Sequence, residues 1–240
     1  MRVRVFVTCL VDTFKPEIAR AVVKLLESLD VEVVVPRAQT CCGQPAFNAG
    51  YVEEAKKAAL HFIEVFDGDE PVVCPSGSCA SMVKRNFPLL FEGDGELVER
   101  ARRLGERTYE LTQFLVRHLG VEGKRFRGTG SVTYHASCHT TRHLGVYEEP
   151  VGLLSGMEGV EFRPLPDATT CCGFGGLFMA KLPEISCALS EDKAAAIEST
   201  GADVVTGCDL GCLLNVEDAL KRRNSSVKVK HIAELLSEGL

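Results

Sequence analysis

The sequence predicts an α/β protein of two tandem repeats, each a small parallel sheet with flanking helices. The halves are expected to be related by a pseudo-twofold axis, with their thiol loops near the interface. Two observations carry that expectation. Cys41-Cys42-Gly43 returns 130 residues later as Cys171-Cys172-Gly173, with a lone cysteine 32 or 33 residues upstream of each pair, Cys9 and Cys138, and two more downstream, Cys74 with Cys79 and Cys208 with Cys212. Continuous apolar segments of strand length also alternate with segments of helical spacing in both halves, the pattern of a parallel sheet buried on both faces.

Taken in order, Arg2 to Val7 is a β-branched run ending at Thr8-Cys9. Lys15 to Leu29 then shows helical spacing through Ile18, Val22, Leu25, Leu26 and Leu29. Val31 to Val35 is a second apolar strand, stopped by Pro36 and followed by the Cys41-Cys42-Gly43 loop. Tyr51 to Phe66 is an Ala-rich helix with a charged face, and Pro71 to Cys74 is a third strand leading into Pro75-Ser76-Gly77-Ser78-Cys79. Glu96 to Leu119 reads as one long helix, and the Gly- and Lys-rich stretch Gly120 to Gly130 as the boundary between domains 1–120 and 121–240. The second half repeats the order. Ser131 to His135 ends near Cys138, Val160 to Leu165 precedes the second pair, and a helix from about Glu184 to Thr200 is stopped by Gly201. Ala202 to Thr206 runs into Gly207-Cys208, and Val227 to Lys230 closes the series. Each thiol group therefore falls at the carboxyl end of a predicted strand, where parallel sheets gather their ligands.

A charged fraction of 25%, an apolar fraction of 45% and a net charge of -6 are those of a globular protein without a nucleic-acid footprint. No apolar run approaches the roughly 20 residues of a spanning helix, and Met1 leads directly into a strand without a signal-peptide pattern. The expectation is a cytoplasmic protein with no membrane span. Eleven cysteines in a reducing compartment point to metal or redox chemistry rather than a disulfide framework.

Thiolates bind metal, and a soft sulfur cage selects zinc or iron-sulfur clusters. Zinc takes four ligands tetrahedrally, and five thiols per half are one too many for a closed zinc site. Vicinal side chains on an extended backbone diverge, so two neighbouring sulfurs suit separate irons of a cluster better than one small ion. Glycine after the pair permits positive φ and close backbone approach. An iron-sulfur cluster fits better.

The lone Cys, the Cys-Cys-Gly pair and the final Cys group resemble the cysteine-rich CCG superfamily, which includes the B subunit of heterodisulfide reductase and the iron-sulfur subunit of glycolate oxidase. Cys41 to Asn48, Pro75 to Cys79, Ser137-Cys138-His139, Cys171 to Gly176, and Gly201-Ala202-Asp203 with Gly211-Cys212-Leu213 closely resemble its lactate-utilization branch. The resemblance covers nearly the whole chain. It implies one or two iron-sulfur clusters of the 4Fe-4S type, held by Cys9, Cys41, Cys42 and Cys79 and by Cys138, Cys171, Cys172 and Cys212. Heterodisulfide reductase relatives close each set with Cys-x-x-Cys, whereas Ser76 and Asp209 stand where the first of those thiols belongs. Cys74 and Cys208 are offset cofactor-binding candidates, and the departure favours a conventional four-thiolate cluster or a cluster in one half only. The resemblance further implies electron transfer within a complex oxidising L-lactate or another 2-hydroxy acid. Iron-sulfur and other subunits would be the partners, with membrane association only through them.

No catalytic residue is assigned, and no flavin or nicotinamide fingerprint is present. Gly173-Phe174-Gly175-Gly176 reads as a tight loop rather than a phosphate cradle, and Pro75 to Ser78 as a turn rather than an anion site. Cys187, between Ile185 and Leu189, reads as a packed helical thiol. His135 ends a predicted strand and reads as a satisfied buried histidine rather than a ligand, a zinc reading of His135-x-x-Cys138 having no matching histidine in the first half; His139, Arg142 and His143 divide between tuning a cluster and plain surface roles. His61, His118 and His231 read as structural. Two rival functions are a metal-free dithiol redox protein and a zinc-stabilised binding module.

Overall fold

Val3, Val5, Val72 and Val73 have no solvent exposure, and these apolar runs become the middle of a parallel sheet in the computed structural model, which describes residues 1–240. The chain divides into two units, Met1–Leu111 and Thr112–Leu240. The first holds β1 (Arg2–Val5), β2 (Glu32–Val34), β3 (Val72–Cys74) and β4 (Thr108–Glu110) in the order β2-β1-β3-β4. All pairs are parallel, with Val3 opposite Val33, Val5 opposite Val73 and Cys74 opposite Glu110. The second holds β5 (Ser131–His135), β6 (Glu161–Phe162), β7 (Val204–Gly207) and β8 (Lys228–His231) in the order β6-β5-β7-β8, again parallel. The tandem repeat is thus one topology used twice.

In both sheets the chain leaves the first strand to one side and returns on the other. The direction of winding therefore reverses between β1 and β3, and again between β5 and β7. Adjacent crossovers diverge at such a point and leave a crevice beyond the carboxyl ends of the two strands. Helices cover the sheets because their apolar residues recur at helical spacing. Pro16–Glu27 buries Ile18, Val22, Leu25 and Leu26, and Val52–Val65 buries Ala55, Ala59, Phe62 and Ile63. Phe62 stacks on Phe66 at 4.4 Å and meets Phe6 edge-on at 4.7 Å. In the second unit Ala194, Ile197, Val205, Val216, Ala219 and Leu220 form the corresponding core.

The long helix expected over Glu96 to Leu119 is in fact three elements: a helix Gly95–Glu106, strand β4, and a helix Leu111–Arg117. The interruption has a tertiary cause. The half-buried Lys84 ammonium donates to the carbonyls of Gly105 at 2.7 Å and Thr108 at 2.9 Å, acceptors that a continuous helix would need for itself. Thr108 and Glu110 are fully buried, and the ladder to β3 takes over the backbone bonding.

Register in the second unit is pinned by Asp203, whose Oδ2 accepts from both the amide and the hydroxyl of Ser131 at 2.7 Å. Those bonds, the hydroxyl first, hold its pKa below the ordinary carboxylate range. A folded-state pKa below the unfolded one gives stability that is full above the unfolded value, about 3.9, and is lost as pH falls through the folded value. Asp203→Asn is therefore expected to melt lower than wild type at pH 7, the gap narrowing as the pH is taken below 4; thermal melts across pH check it.

Candidate metal centres

The sulfurs gather at the two crevices. In the first unit Cys9 follows β1 and opens the helix Cys9–Phe14, while Cys79 is the third residue of the helix Gly77–Ser81 that follows β3. Cys41 and Cys42 come from the loop after β2. That loop is tied down at both ends. Gln39 accepts from the amide of Val7 at 2.8 Å and donates to the carbonyl of Val5 at 3.3 Å, and Gln44 donates to the carbonyl of Ser78 at 3.3 Å. Cys9 Sγ lies 3.6 Å from Cys41 Sγ, Cys42 is hydrogen-bonded to both Cys41 and Cys79, and Cys9 senses the charge of Cys79. The four form one nest.

Cys138, Cys171, Cys172 and Cys212 form the second nest in the same way. Cys138 precedes the His139–His143 turn after β5, and Cys212 is the third residue of the helix Leu210–Arg222 after β7. Cys172 is hydrogen-bonded to Cys171 and to Cys212, and Cys212 senses Cys138 and Cys171. Its pair loop is anchored by Asn215, which donates to the carbonyl of Cys172 at 2.7 Å, and by Ser186, which donates to that of Gly173 at 2.8 Å.

Gly43 and Gly173 adopt φ of +79° and +81°. A Cβ on Gly173 would sit 2.4 Å from the carbonyl oxygen of Ser186, so glycine is required for backbone as well as dihedral reasons. Thr8, just before Cys9, is buried at a φ of +73°. A β-branched residue in that region is strained, and such strain collects at functional loops.

The offset thiols are buried at the strand ends. Cys74 ends β3 fully buried, its thiol donating to the carbonyl of Ser76 at 3.4 Å. Cys208 is equally buried, 3.4 Å from the hydroxyl of Tyr134. Ser76 and Asp209 hold the N-cap positions of the helices that present Cys79 and Cys212, and the Ser76 hydroxyl accepts from the amide of Cys79 at 3.3 Å. Cys187 is exposed, a correction to the packed thiol expected, because its helix buries the face of Ser186, Ser190, Lys193, Ala194 and Ile197 instead.

The surroundings of the two nests differ. Beside the first is Ser76, bonded to the amide of Cys79. Near the second are a buried carboxylate, ammonium and imidazole. Asp209 accepts from Ser137, in a short contact, and from Thr140 at 3.1 Å. Lys193, 1% exposed, donates to the carbonyls of Asp167 at 3.0 Å and Ala168 at 3.3 Å, holding the loop that leads to Cys171. His135 ends β5 at 1% exposure, with neither ring nitrogen hydrogen-bonded, which corrects the satisfied histidine expected from sequence. Its ring nitrogen, Cys172 Sγ and Cys212 Sγ lie within 4.8 Å of one another. Burial first, then Lys193, pushes its pKa down to about 3, leaving the imidazole neutral.

Protonation bears on what the nests can hold. Hydrogen bonds from Cys42 and then Cys9 hold Cys41 down at about 3. Cys9 and Cys42 are pushed up by the same bonds, since ionising either would set a second charge beside the first. In the second nest the bond to Cys172 and burial raise Cys171, and burial, Cys171 and Asp209 raise Cys138. For Cys172 the bond from Cys171 pulls down, but the bond to Cys212 and burial outweigh it. Cys212 is raised too, the bond from Cys172 opposing burial and Asp209. Four thiolates become compatible in either nest only around a cationic core, so the donor set fits a metal centre. In the metal-free, reduced protein, iodoacetamide at pH 6 is expected to label Cys41 well ahead of Cys171; peptide mapping by mass spectrometry reads the order.

A surface cleft of the second unit, about 870 Å³, opens among Ser131, Asp203 and Lys228 at the amino ends of its strands. It faces away from the sulfurs and shares no residue with them. No helix is long and apolar enough to cross a membrane.

Comparison with known proteins accords with this geometry. The family described as the CCG cysteine-rich domain matches residues 3–84 and again 132–217, so each match spans one nest. The chain is 46% identical over 240 residues to lactate utilization protein A 2 of Bacillus cereus (strain Q1), covering 100% of this chain and 99% of the relative. It is 49% identical over 237 residues to lactate utilization protein A of Anoxybacillus flavithermus, covering 99% of each. Among solved structures, glutamate racemase from Francisella tularensis aligns over 99% of this chain and 78% of its own at a TM-score of 0.35 and 12% identity, a likeness too weak to carry an argument.

Proposed function

Since the chain belongs to the CCG cysteine-rich family, with lactate utilization A proteins as full-length relatives, we propose that it is the iron-sulfur electron-transfer subunit of a complex that oxidises L-lactate or a related 2-hydroxy acid. The single observation that carries the reading is the gathering of four sulfurs at the switch point of each sheet, Cys9, Cys41, Cys42 and Cys79 in one and Cys138, Cys171, Cys172 and Cys212 in the other. On this reading these eight thiolates hold the clusters. Cys74 and Cys208 support the strand ends beneath them, as their bonds to Ser76 and Tyr134 suggest.

An iron-sulfur cluster, when bound, supplies a one-electron couple whose potential follows net charge, hydrogen bonds to sulfur and solvent access. The chain's own residues set those terms. The amide of Gly173 donates to Cys171 Sγ at 3.3 Å, that of Gly43 to Cys41, and that of His139 to Cys138. Lys193 offsets negative charge around Cys172 and Cys171, and Asp209 adds to it. Cys42 and Cys172 are almost closed to solvent at 1% and 4%, whereas Cys171 is exposed, so one edge of the second nest is open to an approaching partner. The lactate chemistry itself falls to the partner subunits.

Anaerobic purification with iron, zinc and sulfide analysis tests the reading. Iron and acid-labile sulfide in comparable amounts, with a paramagnetic signal on reduction, are expected. Zinc without sulfide, or thiol titres that change with oxidation in metal-free protein, would sink it.

A further inference from the structure

We propose that His135 is a ligand of the second metal centre, one ring nitrogen binding iron beside Cys172 and Cys212, so that this nest has a mixed nitrogen and sulfur donor set that the first lacks. The inference rests on the iron-sulfur reading above and deepens it.

Burial comes first. His135 is 1% exposed, and both Nδ1 and Nε2 are without a hydrogen-bond partner. A buried polar group left in that state typically costs about 1–3 kcal/mol, and native folds rarely keep one without a reason. Packing supplies no reason. Phe6 stands three residues before Cys9, as His135 stands three before Cys138, and Phe6 fills its place at 1% exposure by edge contact with Phe62 at 4.7 Å. An apolar ring suffices at that position of the repeat, and the second unit places two nitrogens there instead.

Position comes second. β5 pairs with β7 so that His135 lies opposite Gly207, directly before the segment that presents Cys212. The ring nitrogen, Cys172 Sγ and Cys212 Sγ lie within 4.8 Å of one another. Metal bonds of about 2.0 Å to nitrogen and about 2.3 Å to sulfur put two donors of a tetrahedral centre roughly 3.5–3.8 Å apart, so a modest contraction closes the set. A neutral imidazole offers the required lone pair.

Full-length protein carrying ¹⁵N-histidine, reconstituted anaerobically with iron and sulfide, provides the test. Iron and sulfide are counted first, then iron-edge X-ray absorption and pulsed electron paramagnetic resonance of the reduced protein are recorded. Imidazole scattering is expected, together with a nitrogen coupling that changes from the ¹⁴N to the ¹⁵N pattern on labelling. Both are expected to vanish in His135→Phe and to survive in His139→Phe, the control for the ring whose Nδ1 lies 3.6 Å from Cys138 Sγ. His135→Gln serves the same purpose if the phenylalanine variant fails to melt cooperatively. Iron present with sulfur-only coordination, or imidazole signals that persist without His135, would overturn the ligand assignment while leaving the iron-sulfur reading intact. Protein that takes up no iron overturns both.

Discussion

Cys42→Ser and Cys172→Ser, prepared anaerobically, are each expected to retain about half of the wild-type iron, with the spectra of the two variants summing to that of the parent. The reasoning is local. Both thiols are the deepest of their nests, at 1% and 4% exposure, and both bond sulfurs on either side, Cys42 to Cys41 and Cys79, Cys172 to Cys171 and Cys212. A serine hydroxyl there is a harder, poorer donor for a cluster, and it interrupts the sulfur contacts from the middle. Each nest is made wholly of residues from its own unit, so the loss is expected to stop at the unit boundary. Iron and sulfide analysis with electron paramagnetic resonance reads the result. Undiminished iron in both variants would remove these cysteines from the ligand set, complete loss in both would show that the two nests do not load independently, and complete loss in one beside undiminished iron in the other would place a single cluster in the unit that loses it.

Gly173→Ala is expected to lower the melting temperature of the metal-free protein by on the order of 10 °C, at least twice the effect of Gly43→Ala. Both glycines sit at positive φ, which costs an alanine about 1–3 kcal/mol. They differ in what the new methyl would meet. At Gly43 the nearest atom is the Ala58 Cβ at 3.0 Å, the tip of a small side chain. At Gly173 it is the backbone oxygen of Ser186 at 2.4 Å, inside the helix Pro183–Ser199, which cannot give way without moving the helix. That shift would also carry off the Ser186 hydroxyl that donates to the carbonyl of Gly173. Differential scanning fluorimetry on reduced apo-protein checks the ranking, and equal losses at the two positions would show that dihedral strain, rather than the close approach, sets the requirement.

The parts of this arrangement that were legible in the sequence are those expressed by spacing. The repeat of Cys9, Cys41-Cys42 and Cys79 as Cys138, Cys171-Cys172 and Cys212 could be read directly, and short β-branched runs before each thiol marked the central strands. β4 was hidden, because Thr108 to Glu110 lies between two helical patterns and its strand depends on Lys84, more than 20 residues away, occupying the carbonyls of Gly105 and Thr108. Lys193 was hidden for a related reason. A lysine in a helical pattern reads as solvated, and only the fold reveals that its ammonium turns inward to the carbonyls of Asp167 and Ala168. His135 was visible as a strand-ending histidine, but whether a buried ring has partners is decided by every element packed around it. A comparison of the repeats, Phe6 against His135 and Ser76 against Asp209, was the one available sign that the two nests are not chemically alike.

The amides of Gly43, His139 and Gly173 are directed at sulfur. Main-chain donors belong to whatever residue occupies a position, so this part of the electrostatic setting is inherited through loop shape rather than through side-chain identity. Proteins sharing only 46–49% of their residues with this chain can drift widely across their surfaces and still present the same polar lining to sulfur, provided the glycines that bend those loops stay in place.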